Sequence, residues 1–271
     1  MDPIKVAAGA GAVALVVGGT AYGIYNSIDS MPECDLLYSK TGFGSSGDYT
    51  SGKYGFSYGR YLVDPDKLEN SKNKDWWEWA FRLWKTKDSS QLGKKFQTVS
   101  FSYKEDSDTS NKDKALNQIC KSAYKDSKEN ILSPSVAKED SKFQESDVWM
   151  FCSISPNRNK PILLVNSEDD TDKGIVGDAG SNTKWGKSKK DNLVSTRVKG
   201  NDWFWDLKDR ELKSADLSSV TDTNNLFKKG KGTGRHVKQI CQDAYNEISS
   251  NTTVVTEQNL KDYCYLEKTS N

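Results

Sequence analysis

Five cysteines and a single histidine bound the chemistry open to this chain. One imidazole removes most histidine-based catalysis and any histidine-rich metal site. Four of the cysteines form two sets, Cys120 with Cys152 and Cys241 with Cys264. Each set lies at the centre and the end of a similar stretch. Outside the cell, four thiols allow three pairings, and the likeness of the two stretches favours Cys120–Cys152 and Cys241–Cys264. The competing reading is buried reduced thiols that pack as small apolar groups. Cys34 has no counterpart and is a candidate for a free or intermolecular thiol. Met31-Pro32-Glu33 before it is not the small apolar run of a lipoprotein cleavage site.

Other patterns fall short of a site. Gly47 to Lys53 fits the first seven positions of a phosphate-binding loop, but Tyr54 stands where Ser or Thr should meet magnesium. Glu168, Asp170 and Asp172 alternate as in a calcium loop. Gly174 comes one residue late for the sharp turn, however, and Ala179 occupies the place of the bidentate Glu. A solvated linker is the better reading. His236 with Arg235 and Lys238 suits a small anion site, although a solvated basic helix end is favoured. Asn251-Thr252-Thr253 fits an N-glycosylation acceptor, which matters only in a eukaryotic secretory pathway. Carboxylates are plentiful, but no spacing holds two together in both stretches. Asp75 and Asp202 recur, and a helix N-cap explains both. We therefore expect no catalytic, cofactor-binding or metal-binding residue, no cofactor, and no enzyme.

The elements that position the thiols occur twice. Gln118-Ile119-Cys120-Lys121-Ser122-Ala123-Tyr124 recurs as Gln239-Ile240-Cys241-Gln242-Asp243-Ala244-Tyr245, identical at five of seven positions. Upstream, Asp75-Trp76-Trp77 answers to Asp202-Trp203-Phe204 and Leu62-Val63 to Leu193-Val194. Downstream, residues 147–152 answer to Lys261-Asp262-Tyr263-Cys264. Kept order with drifting loops is the mark of a duplicated module. Trp77, Ala80, Phe81 and Trp84 follow the spacing of one helical face, which predicts a helix from Asp75 to about Lys87. The tryptophans read as core rather than as a ligand-stacking platform. Residues 94–104 suggest a strand or hairpin edge. Leu116, Ile119, Cys120 and Ala123 mark a second helix, copied by Val237, Ile240, Cys241, Ala244 and Ile248. A third short helix approaches Cys152 in one module and spans residues 260–264 in the other.

Val6 to Ile28 carries no charge. At about 1.5 Å per residue, this stretch is long enough for the roughly 30 Å hydrocarbon core of a bilayer. Tyr22 and Tyr25 fall near its outer end. Lys5 precedes it and Asp29, Glu33 and Asp35 follow, which places the N-terminus in the cytoplasm and the bulk outside. The rival is a secretory signal peptide cut after a small residue such as Ala21. The fold class expected is mainly α, with α+β and minor strands as the alternative. A transmembrane anchor at residues 1–28 precedes a Gly/Ser/Tyr-rich tether at 29–59. The first Trp/Cys helical module follows at 60–155, then a linker at 156–190 and the second module at 191–271. Lys plus Arg number 39 against 38 Asp plus Glu, so no strong field draws the chain to nucleic acid. Hydrophobic content of 35%, with 8 Trp, predicts a thin core that leans on aromatics.

The Gly/Ala-rich anchor after Met1-Asp2-Pro3, the Trp-led helix at Asp75-Trp76, Ala115 through Cys120, Trp149 through Cys152 and Pro161-Ile162-Leu163 together carry a resemblance. The chain resembles the functionally uncharacterised, paralogous membrane-anchored proteins of haemotropic mycoplasmas, and departs from them in carrying two modules. The resemblance implies surface-exposed proteins suited to host contact or antigenic variation, and transfers no catalytic residue. The expectation is thus a non-enzymatic, single-pass protein of the cell membrane. Its partners are the lipid bilayer through residues 6–28 and a host surface protein or glycan. The alternatives are a surface hydrolase or nuclease using carboxylates and a metal, and a cytoplasmic-facing membrane scaffold.

Overall fold

The computed structural model describes residues 8–9, 12–13, 30–45, 47–66, 72–133, 138–178 and 183–268. Helices dominate, and the strands are two-residue pairs. The chain divides into two compact units between Lys160 and Pro161. The first holds α1 (Tyr54–Tyr58), α2 (Lys72–Lys85), α3 (Lys94–Gln97), α4 (Leu116–Lys125) and α5 (Glu145–Cys152). The second holds α6 (Asp170–Gly177), α7 (Trp185–Ser188), α8 (Asp202–Ser214), α9 (Leu226–Thr233), α10 (Val237–Asn246) and α11 (Glu257–Tyr263). No described helix is long and apolar enough to cross a membrane. The anchor expected at residues 6–28 lies outside the described residues except for Ala8–Gly9 and Ala12–Val13, which pair antiparallel rather than as helical turns.

The expected tether is folded. Cys34, Leu36, Leu37, Tyr49, Tyr54, Phe56 and Tyr58 are all buried. Leu36 bridges Val63, and Lys53 bridges Ser127. The aromatics interleaved with Gly and Ser supply the apolar area that holds this stretch down. Its glycines shape tight turns, since Gly42, Gly44, Gly47 and Gly52 all take positive φ, where a side chain is strained. The described residues of the expected linker at 156–190 are folded too. Leu163 bridges Val194, and the acidic run is a helix start. Asp169 caps α6 by accepting from the backbone N–H groups of Thr171 and Asp172. The stretch at 94–104 is not a strand: its first residues form α3, and only Phe101 bridges Ala115.

Helix α2 buries Asn73, Trp76, Trp77, Ala80 and Leu83, a stripe rotated from the expected one. Phe81 and Trp84 stay half-exposed and stack at 5.5 Å. The rotation follows from Asn73. Its amide donates to the carbonyls of Asp35 (3.1 Å) and Asp64 (2.9 Å), and its oxygen accepts from Asp35 N–H at 2.7 Å. These extended segments have no sheet to satisfy them, so the side chain fixes the face that α2 presents. Asp75 lies within the first turn rather than at a cap.

The second unit repeats the hydrogen bonds that frame this helix. Asn201 donates to Ile162 and Ser195 carbonyls and accepts from Ile162 N–H at 2.9 Å. Trp77 Nε1 donates to Asp64 O at 3.2 Å, as Trp205 Nε1 does to Ser195 O at 3.3 Å. Trp76 meets Trp77 edge-on at 4.9 Å and 85°, while Phe204 meets Trp205 at 4.8 Å and 85°. Trp76-Trp77 therefore matches Phe204-Trp205, one residue later than the sequence alignment on Asp75 and Asp202. Val63 N–H donates to Cys152 O and Val194 N–H to Cys264 O, both at 3.0 Å. Leu62 bridges Ser153, and Leu193 bridges Tyr265.

The short helices α1 and α7 are also equivalent, and their docking depends on glycine. Tyr54 N–H donates to Asp126 O at 3.0 Å, and Trp185 N–H to Glu247 O at 2.9 Å. A Cβ on Gly55 would lie 2.9 Å from Tyr124 O, and one on Gly186 would lie 2.9 Å from Tyr245 O. Gly55→Ala and Gly186→Ala are each expected to destabilise their unit by about 1–3 kcal/mol. Gly174→Ala is the control: α6 leaves open space there, and about 0.5–1 kcal/mol of stabilisation is expected. Denaturant titration of the three variants checks the contrast.

Candidate functional site

The paired thiols lie at the centre of each unit. Cys120 is bonded to Cys152 and Cys241 to Cys264, with Cα atoms 5.8 and 5.9 Å apart. All four cysteines are fully buried. The apolar stripe of α4 carries Cys120 inward with Leu116, Ile119 and Ala123, and α10 does the same for Cys241. Ile248, expected on that stripe, lies beyond α10 and is exposed. Cys34 is free and buried, and burial pushes its thiol well above the ordinary range.

The other sequence candidates do not converge. Arg235 pairs with Asp243 and Lys238 with Asp202, both at 2.7 Å, and His236 Nδ1 meets Asp209 Oδ2 at 2.6 Å. Each basic group of the supposed anion site thus has its own carboxylate. Asp202 is that partner rather than an N-cap, and Asn201 occupies the cap position of α8. Lys53 of the phosphate-loop near match sits in its bridge to Ser127. Among the described residues, no group of three or more His, Cys, Asp or Glu is arranged to hold a metal ion.

The feature that sets the units apart was not singled out by the sequence patterns. Between α3 and α4 the first unit carries residues 99–114, whereas α9 is followed almost at once by α10. Asn117 fastens this insertion. Its oxygen accepts from Lys104 N–H at 3.0 Å, and its amide donates to Lys104 O and Pro65 O, both at 2.8 Å. Gln118 donates to Lys104 O at 2.8 Å. The insertion and the frame enclose an open cleft of about 280 Å³, lined by Asp66, Tyr103, Lys104, Glu105, Asp106, Ser107 and Gln118.

A relay of charges runs beside the cleft. Lys121 Nζ on α4 pairs with Asp66 at 2.6 Å and with Asp106 on the insertion. Lys40 Nζ pairs with Asp66 at 2.5 Å and faces Asp64 at 3.5 Å. Burial pushes the Asp64 carboxyl up to about 6, against the Asp66 N–H and Lys40, which pull it down. For Asp66, burial is outweighed by hydrogen bonds from Lys121 and Lys40, and the carboxyl sits below its ordinary range. The Lys121 hydrogen bond holds Asp106 low in the same way. Tyr103 is raised to about 12, first by burial and then by the charges of Glu105 and Asp66.

The second unit builds the equivalent corner from two hydroxyls and one buried carboxylate. Ser167 and Ser195 hydroxyls face each other at 3.5 Å where Lys40 and Asp64 do in the first unit. Ser195 donates to the buried Asp172 at 2.5 Å. Gln242 stands in the place of Lys121. The available signal was the set of positions where the copies differ inside matched segments, Lys121 against Gln242 and Asp64 against Ser195. What recurs is a disulfide-locked helical unit built on a Trp-led helix, and one of its two versions bears a charged cleft. No protein-family model, no curated protein and no solved structure matches the chain.

Proposed function

We propose that this chain is a non-enzymatic, single-pass membrane protein that displays its two disulfide-locked units on the cell exterior, for host contact or antigenic variation. The observation that carries this reading is the pair of buried disulfides at equivalent positions. Such bonds form and persist in oxidising compartments, and thiols stay reduced in most cytosols. The charge-free residues 6–28 supply the proposed anchor, and the resemblance to paralogous surface proteins of haemotropic mycoplasmas supports the same placement. Near-balanced charge argues against nucleic acid as the partner.

Thiol counting on the chain taken from its native cell tests the compartment. The reactive form is the thiolate, and the Cys34 thiol is buried and raised. Native protein is expected to label at none of its cysteines, denatured protein at Cys34 alone, and denatured, reduced protein at all five. Five labelled thiols without reductant would transfer the chain to the cytoplasmic face. Protease added to intact cells is expected to cut the units. Their survival while a known surface protein is destroyed would sink the exterior placement.

A further inference from the structure

We infer that α9 presents a basic face that binds a sulfated polysaccharide of the host surface. This rests on the exterior placement proposed above and names the chemistry of the partner. Lys228, Lys229 and Lys231 all lie on this helix, which carries no acidic residue. At 3.6 residues per turn, the three lysines fall on the side opposite the buried Phe227 and Gly230, with Gly232 among them. A Cβ on Gly230 would lie 2.3 Å from Ile240 Cδ1, so glycine lets α9 press its inner face against α10. A Cβ on Gly232 would meet nothing within 4 Å, and the outer face is open.

The lysines are positioned without being neutralised. Lys228 Nζ donates to Val220 O, Lys229 Nζ to Asn224 Oδ1 at 3.1 Å, and Lys231 Nζ to Ala215 O. Each acceptor is a neutral carbonyl, and each ammonium keeps donors for another partner. Among the described residues, no carboxylate forms an ion pair with any of the three. Lys184, Lys189, Arg235 and Lys238 in the same unit each have one. Residues 213–234 hold these three lysines and Lys213 against only Asp216 and Asp222. Asp216 senses Lys231, but its Oδ1 accepts from Ser218 N–H at 2.8 Å, and Asp222 Oδ1 accepts from Asn224 N–H at 2.7 Å. A positive excess therefore remains on this part of the surface.

The first unit shows that the shared frame does not need these charges. Phe96 of α3 packs against Phe151, the neighbour of Cys152, as Phe227 of α9 packs against Tyr263, the neighbour of Cys264. Counted from those two rings, Gln97, Thr98 and Ser100 stand where α9 has Lys228, Lys229 and Lys231. Lys228 and Lys231 are three residues apart on one helix and repel each other. The second unit thus carries a cost that its own packing does not explain. A linear polyanion removes it, because its charge repeats along the chain and each lysine releases a counterion from it. On a cell exterior the polyanion within reach is a sulfated polysaccharide.

Immobilised heparin is the probe, with the full chain in non-ionic detergent at about 0.15 M salt. Binding is expected, weakening with salt at a log–log slope of about 2–3, near one counterion for each lysine. Desulfated heparin should bind at least about tenfold more weakly. Lys228→Gln, Lys229→Thr and Lys231→Ser together install the residues of the first unit, and should also cost at least about tenfold. Lys228→Arg, Lys229→Arg and Lys231→Arg together keep the charge and should stay within about threefold of the parent. The charge-matched control Lys94→Gln, Lys95→Gln and Lys114→Gln in the first unit should stay within about twofold. No binding, equal binding of desulfated heparin, or an unchanged triple variant would overturn the proposal. So would an equal loss in the control or in the arginine variant, or tighter binding to double-stranded DNA than to heparin. The exterior placement fails separately, through the thiol count and the protease experiment, which do not involve α9.

Discussion

Truncating Trp77 to alanine is expected to destabilise the first unit by about 3–5 kcal/mol, the range for emptying a large aromatic site in a core. Trp77 is fully buried, packs edge-on against Trp76 at 4.9 Å and donates its indole N–H to Asp64 O. Asn73 donates to the same carbonyl, so the missing hydrogen bond is the smaller part of the effect. Trp77→Phe keeps a six-membered ring but loses the donor and part of the indole volume, so an intermediate loss of about 1–3 kcal/mol is expected. Trp205→Ala should reproduce the loss in the second unit, where the indole bond and the edge-on pair recur. Denaturant titration followed by circular dichroism reads all three variants. A loss under about 1 kcal/mol for Trp77→Ala, below the usual range for aromatic truncation, would mean that α2 is not held by its aromatic pair.

The second large effect is expected from the disulfides. Removing one through paired Cys→Ala substitutions should lower stability by about 3.5 kcal/mol, since each bridge restrains the unfolded chain across a loop. The sequence separations are 32 for Cys120–Cys152 and 23 for Cys241–Cys264. Loop length enters only as a logarithm, so the two losses should agree within a few tenths of a kcal/mol. The core of each unit is thin, and this is a large part of a typical domain's 5–15 kcal/mol. Single substitutions are the sharper comparison. Cys120→Ala leaves Cys152 as a buried thiol, and should cost about as much as the double variant if loop closure is the source. Urea midpoints of the single and double variants decide it, and a double variant as stable as the parent would remove the bridge from the account.

How much of this was legible in the sequence depended on periodicity. Helices α4 and α10 have strong apolar spacing and a shared heptad, and the buried positions Leu116, Ile119, Cys120 and Ala123 could be read directly. The Trp-led helix was legible as a helix, but not its rotation. The face of α2 is set by the amide of Asn73 holding two distant backbone segments, and no local pattern encodes that. Residues 29–59 and 156–190 misled because Gly, Ser and acidic residues imitate slack chain. Here they make turns and a helix cap, and buried aromatics and leucines hold them in place. A signal was present there all the same. Lys53-Tyr54-Gly55, Ser57 and Leu62-Val63 match Lys184-Trp185-Gly186, Ser188 and Leu193-Val194 without a gap. The relay beside the cleft joins residues far apart in the chain, so only the mismatch of the copies pointed to it.

Each sulfur bridge also closes the backbone into a covalent ring. The first ring encloses the exposed turn Lys128–Asn130, and the second encloses the exposed Asn251, Thr252 and Thr253. A peptidase that nicks either turn makes two new chain ends but frees no fragment, because the halves stay joined through sulfur. Such a nick would be silent on a non-reducing gel and visible only once the sample is reduced.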